Sequence, residues 1–268
     1  VFQSYINNGD KVFITNPSFA MYNVYCKLYK AKTYYIEYVN NDGSIKFNFR
    51  SLLENIDKLK PKLVCIPNPD SPTGSILKSK EILTLLEVCK KNNSLLLIDE
   101  AYYPFYNYTS VEFLKEFNNL IICRTFSKAW GLAGVRVGYL ISGKEQIKIM
   151  NLTRPMYEIG ALQLKISEEI IKHYHRMVQS VDRLTKGKLF FEEEMRKLNF
   201  KTLTTYGNFS HVDFGLSRDN ITSELDKYIL YRKKFNHPSL LNYSRFSSAT
   251  VSTMNQVVNL IKKFNEKI

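Results

Sequence analysis

The sequence predicts an α/β protein, a mostly parallel, doubly wound sheet in a large first part followed by a smaller C-terminal α+β domain. Three observations carry that expectation. Short runs at 63–66, 95–98 and 120–123 are apolar at every position, the pattern of strands covered on both faces. Between the first two lies 80–91, where Ile82, Leu85, Leu86 and Cys89 recur at helical spacing. The texture then changes near Arg154-Pro155, where a long charged stretch replaces the alternation. We therefore place residues 1–150 in the large domain and 151–268 in the small one.

Element by element, 11–15 reads as a short strand, 20–29 as a helix and 33–39 as a second strand. The three apolar runs and the helix at 80–91 follow, then a strand over 135–141 that ends at Ser142-Gly143. Strands alternating with helices argue for a mostly parallel sheet. The stretch 161–199 has no proline and one glycine, Gly187, and reads as one or two long helices. Short strands at 208–214, 231–235 and 243–247 and an amphipathic helix over 251–267 complete the small domain. There is no internal repeat and no low-complexity linker.

At 268 residues the chain can bury a sizeable core. Cys26, Cys65, Cys89 and Cys123 are isolated in apolar contexts, so reduced core thiols in a cytoplasmic protein are expected. His173 and His175 are two apart on an expected helix and face different ways, a poor metal pair. No apolar run is long enough to span a bilayer, and no secretory leader is evident. The formal charge of +13 raises nucleic acid as a partner. The lysines are scattered, however, and no nucleic-acid motif accompanies them. A solvated basic surface that helps draw in phosphorylated small molecules is the expectation.

Three segments carry chemistry. The first is Thr125-Phe126-Ser127-Lys128-Ala129-Trp130-Gly131-Leu132-Ala133-Gly134-Val135-Arg136. A lysine set between apolar stretches is costly to bury unless it is paired or covalently used, and one use is a covalent bond to a cofactor aldehyde. The second is Leu95-Leu96-Leu97-Ile98-Asp99-Glu100-Ala101-Tyr102. It reads as a buried parallel strand delivering Asp99 at its carboxyl end, where open α/β sheets place ligands. The third is Pro67-Asn68-Pro69-Asp70-Ser71-Pro72-Thr73-Gly74, which taken alone is a tight turn. In this order and spacing the three resemble the fold-type I pyridoxal-phosphate aminotransferases, and most nearly the histidinol-phosphate aminotransferase group. The resemblance runs over essentially the whole chain.

The resemblance implies a role for each matching residue. Lys128 would bond to the aldehyde of pyridoxal 5′-phosphate and later move a proton between substrate and cofactor carbons. Asp99 would face the pyridine nitrogen, and Tyr102 would donate to the ring phenolate oxygen. Phe19, where the family usually has tyrosine, would stack on the ring. Thr125, Ser127 and Arg136 match the phosphate ligands. Ser71 stands where the family has asparagine before Pro-Thr-Gly, and Asn68 is three residues too early to replace it. Arg245 matches the arginine that clamps the substrate anion, Arg232 a second arginine of the histidinol-phosphate group, and Asn208 a segment entering the small domain. Glu158 stands where that group commonly has asparagine, and a carboxylate near an anionic substrate would repel it.

The implied activity is amino-group transfer between a phosphate-bearing amino compound and 2-oxoglutarate by a homodimer. An amino-acid-phosphate decarboxylase and an aminotransferase for aromatic or other amino acids use the same cofactor residues. Family members also carry an N-terminal portion ahead of the residues matching Val1. That leaves a fragment, or a non-catalytic remnant, as a further reading.

Overall fold

The computed structural model describes residues 1–41 and 43–265. The elements are, in order, α1 (Phe2–Tyr5), β1 (Lys11–Asn16), α2 (Ala20–Leu28), β2 (Lys32–Asn41), β3 (Ser44–Phe47), α3 (Phe49–Leu59), β4 (Leu63–Pro67), α4 (Ser79–Lys91), β5 (Leu95–Asp99), β6 (Leu120–Thr125), β7 (Gly138–Ser142), α5 (Lys144–Leu152), α6 (Ala161–Ile171), α7 (Tyr174–Lys197), β8 (Lys201–Thr202), β9 (Phe209–Asp213), α8 (Arg218–Leu225), β10 (Ser244–Ser247) and α9 (Val251–Asn265). They fall into two compact units. One comprises residues 1–38, 47–72 and 76–174, and the other 39–46, 73–75 and 175–268. By this division 151–174 belong with the first unit.

A seven-stranded sheet of order β3-β2-β1-β4-β5-β6-β7 organises the first unit. The pairs β1–β2, β1–β4, β4–β5 and β5–β6 are parallel, and β6–β7 is antiparallel. The strand expected over 135–141 begins later, at Gly138, because Ala133–Val135 form a 3-10 turn. The apolar runs are strands for the reason their composition suggested. Alternate residues feed two separate cores. Phe13, Val64, Ile66, Leu96, Ile98, Leu120 and Ile122 face α3 and α4, where they meet Leu52, Ile56, Ile82, Leu85 and Leu86. Val12, Ile14, Leu63, Cys65, Leu97 and Ile121 face the other way, toward Phe2, Tyr22, Cys26 and Met150 of α1, α2 and α5.

Helix α3 has a side-chain cap, with Asn48 Oδ1 accepting from Ser51 N at 3.0 Å, which satisfies one of the orphan donors of a first turn. The four cysteines are free thiols. Burial pushes Cys89 and Cys123 up to about 12, so both stay protonated at neutral pH.

The second unit contains a three-stranded antiparallel sheet of order β10-β9-β8. Its core gathers Phe191 and Met195 of α7, Val212 of β9, Phe246 of β10, and Met254, Val258 and Ile261 of α9. The segment expected as a strand over 231–235 is reduced to one antiparallel bridge, Arg232 to Arg245. The stretch 161–199 forms two helices, α6 and α7. Gly187 marks a close approach inside this unit. A Cβ there would lie 1.9 Å from the Ala249 carbonyl oxygen, a backbone atom that cannot swing aside. Gly187→Ala is expected to lower stability by about 1–3 kcal/mol, outweighing the ~1 kcal/mol of helix propensity that alanine adds. A thermal midpoint at or above the parent's would contradict this packing.

Candidate active site

The carboxyl ends of β1, β4, β5 and β6 lie side by side. Pro67 pairs with Asp99, and Asp99 with Cys123. The ladder runs one step further into the loops, since Asn68 N donates to Asp99 O and Glu100 N to Cys123 O, each at 2.8 Å. The loops bearing Phe19, Ser71, Tyr102 and Lys128 therefore leave the sheet from one edge. This is the crevice end of an open α/β sheet, where strand order reverses and ligands bind.

Asp99 ends β5 half-buried. Its Oδ2 accepts from the Tyr22 hydroxyl at 2.8 Å and its Oδ1 from Ala101 N at 3.0 Å. Burial pushes its carboxyl above the ordinary value. The two hydrogen bonds and the Lys128 charge oppose that rise, and Glu100 adds to it. Tyr22, on the first turn of α2, is a site residue absent from the sequence reading. Burial first, then the Asp99 charge, drives its hydroxyl well above 10, so it remains a donor. Its only sequence signal is its place three residues after Phe19. Phe19 lies 54% exposed, edge-on to Tyr22 with ring centroids 6.4 Å apart. Phe19, Tyr22, Tyr25, Leu97, Asp99 and Cys123 help line a cavity of about 350 Å³, within the ~300–1,000 Å³ range of small-molecule sites.

Lys128 is exposed, which corrects the expectation of a buried lysine. The reason is local. The loop after β6 closes on itself through Leu132 N to Phe126 O, 2.9 Å, and Phe126 N to Val137 O, 3.1 Å. That closure buries Phe126 and Ala129 and turns Lys128 outward. Its Nζ stands 5.2 Å from the centre of the buried Tyr102 ring. Thr125 Oγ1 accepts from Ser127 N at 3.0 Å. Arg136 is exposed with a left-handed φ of +61°, and its Nη1 donates to Ala133 O at 2.9 Å. Asn68 is occupied elsewhere, because its side chain exchanges two hydrogen bonds with the backbone of Leu77. Ser71 is half-buried. Glu158 is ion-paired with Arg154 one turn away, so its charge is compensated.

The remaining candidates lie in the second unit. Arg232 and Arg245 bridge through Arg232 N to Arg245 O, 3.0 Å, and Arg245 N to Arg232 O, 2.8 Å. Such a pair sets both side chains on one face. The Arg232 guanidinium lies 5.0 Å from the Phe235 ring centre, and that of Arg245 6.0 Å from Phe235 and 5.1 Å from Phe209. Asn208 immediately precedes β9, and its carbonyl accepts from Ser248 N at 2.8 Å. Gly74 has φ +76°, and a Cβ there would sit 2.5 Å from Thr205 Cβ, so the Pro-Thr-Gly turn admits no side chain at that point.

Comparison with known proteins identifies the family. The family described as aminotransferase class I and II matches residues 1–264. The chain belongs to that family. This aminotransferase is 31% identical over 261 residues to the histidinol-phosphate aminotransferase of Caldanaerobacter subterraneus subsp. tengcongensis, covering 97% of the chain and 72% of that protein. It is 34% identical to the enzyme of that name from Sulfurisphaera tokodaii, over 100% of the chain and 72% of that relative. Among solved structures, the histidinol-phosphate aminotransferase of Clostridium acetobutylicum superposes with a TM-score of 0.88 at 20% identity, covering 100% of this chain and 80% of that one. The Sinorhizobium meliloti enzyme in complex with pyridoxal-5′-phosphate gives 0.83 at 20% identity, covering 98% and 73%. At such identities the likeness concerns the fold. The cofactor of this aminotransferase is pyridoxal 5′-phosphate. The donor set fits it: the Asp99 carboxylate ends β5, and the Thr125 and Ser127 hydroxyls, the Lys128 amine and the Arg136 guanidinium lie at the end of the adjacent β6 or in the loop after it.

Asp99 links the site to stability. Its folded pKa is raised above the ordinary 3.8, so the folded protein holds this proton more tightly than the unfolded chain. Stability is then lost as pH rises from the unfolded value through the folded one. Asp99→Asn should raise the thermal midpoint of the cofactor-free protein at pH 7, with the gain vanishing as pH falls toward 3.8. A variant less stable than the parent at pH 7 would show that the Tyr22 and Ala101 hydrogen bonds outweigh the burial cost.

Proposed function

We propose that this aminotransferase moves an amino group between a phosphate-bearing, histidinol-phosphate-like amine and 2-oxoglutarate. The observation that carries the substrate reading is the bridged pair Arg232 and Arg245, two guanidiniums set on one face and sharing the Phe235 ring. Two forks suit a phosphate dianion better than a single carboxylate. The curated relatives of that name support the same reading.

When bound, pyridoxal phosphate supplies an electron-withdrawing ring that stabilises negative charge at the substrate carbon. The chain's own residues would do the rest. Asp99, kept in place by Tyr22 and Ala101, would hold a proton on the ring nitrogen. Tyr102 would donate to the ring oxygen. Thr125, Ser127 and Arg136 would hold the cofactor phosphate, with Phe19 against the ring and Ser71 beside it. Lys128, on its exposed turn beside Tyr102, would bond to the aldehyde and, once displaced, carry the proton between carbons. An outward-facing amine is free to make that swing. Arg245, Arg232 and Asn208 would orient the substrate. Among the described residues no helix is long and apolar enough to cross a membrane. A cytoplasmic homodimer completes the reading and rests on the family resemblance.

The test is a substrate panel. Arg232→Ala should weaken phosphorylated amines by about 1.5–3 kcal/mol in kcat/KM, since a charge-assisted hydrogen bond to the substrate is lost. Plain amino acids should lose less. Equal losses for both classes would leave Arg232 a structural residue and refute the phosphate reading.

A further inference from the structure

Glu100 follows Asp99 directly and has no part in the chemistry above, yet its side chain is 1% exposed. A buried carboxylate is costly unless every lone pair is met, and here each oxygen is met. Oε1 accepts from Ser110 N at 2.6 Å. Oε2 accepts from Arg124 Nε at 3.0 Å, Arg124 Nη2 at 2.8 Å and Thr109 Oγ1 at 2.9 Å. Arg124 Nη2 also donates to Thr109 Oγ1 at 2.6 Å, and the guanidinium stacks 3.9 Å from the centre of the Tyr103 ring. Arg124 directly precedes Thr125 and pairs across the sheet with Tyr139 of β7.

Neighbouring residues on a strand point to opposite faces. Asp99 therefore faces Tyr22 while Glu100 faces Arg124. One ion pair thus joins the end of β5, the end of β6 and the loop 102–110, just behind the residues placed at the cofactor.

We propose that Arg124 and Glu100 are positioning residues: their ion pair locks the carboxyl ends of β5 and β6 together and so sets the placement of Asp99 and Tyr102 against Thr125, Ser127 and Lys128. The pair touches neither cofactor nor substrate and acts through the backbone. The inference rests on the cofactor site described above. Its primary readout, amide exchange in the cofactor-free chain, does not depend on that site being filled.

Two backbone amides report the placement. Ala101 N–H is held by Asp99 Oδ1 and Ser127 N–H by Thr125 Oγ1. The variants are Arg124→Met and the neutral double Glu100→Gln/Arg124→Met. The single variant leaves a buried charge unpaired and should melt early. The double removes that charge and should recover most of the thermal midpoint, as neutral replacements of buried pairs often do. Positioning should not recover. In the double variant the Ala101 and Ser127 amides should exchange about tenfold faster than in the parent, and pyridoxal phosphate should bind about tenfold to a hundredfold more weakly.

Parent-like exchange at both amides in the double variant would overturn the proposal and leave the pair a stabilising contact alone. If the single variant does not fold, the double decides by itself. If the double does not fold either, Arg124→Lys keeps the charge and loses the fork. It should show the same faster exchange, and parent-like exchange there would equally overturn the proposal. A parent that takes up no cofactor while the exchange result holds would sink the cofactor assignment and spare the ion-pair inference.

Discussion

Four parallel strands whose carboxyl ends lie side by side are the constraint on which the candidate site depends. Each of β1, β4, β5 and β6 is short and sealed between two helical layers. A slip of one residue would exchange the side chains between those layers. Val64 and Ile66 would trade places with Leu63 and Cys65, and Asp99 would turn toward the core that now holds Ile98. The two cores thus fix the register, and the register fixes which side chain emerges at each strand's end. The site is a consequence of packing far from it.

The same alternation separates two acids that follow one another in sequence. Asp99 and Glu100 would repel strongly if they shared a face in a low-dielectric interior. The strand sends them to opposite sides, where different partners meet them. Tyr22 and the Ala101 amide leave Asp99 able to take a cationic partner. Arg124, Thr109 and Ser110 satisfy Glu100 completely. One carboxylate is kept available and the other is consumed, although both stand in the motif Asp99-Glu100-Ala101-Tyr102.

The parts legible in the sequence are those where burial dictates composition. The runs at 63–66, 95–98 and 120–123 are too short for buried helices and so read as strands covered on both faces, and they form β4, β5 and β6. Helix α3 has no counterpart among the sequence-based expectations, although its Asn48 cap and the helical spacing of Phe49, Leu52, Leu53, Ile56 and Leu59 made it legible. The expected strand at 231–235 shrank to a bridge at Arg232, since Arg232-Lys233-Lys234 offers no apolar alternation to bury. Lys128 was expected to be buried from its apolar neighbours, but the loop's own hydrogen bonds aim those neighbours inward and the amine outward. Tyr22 and Arg124 were invisible for a different reason. Their partners lie 77 and 24 residues away, and only the sheet order brings them together.

Lys128 as the anchor of the cofactor can be tested by incubating the chain with pyridoxal 5′-phosphate, reducing with borohydride and mapping the peptides by mass. A single modified peptide is expected, with the adduct on Lys128. An adduct on any other lysine, or none on the folded chain, would contradict it.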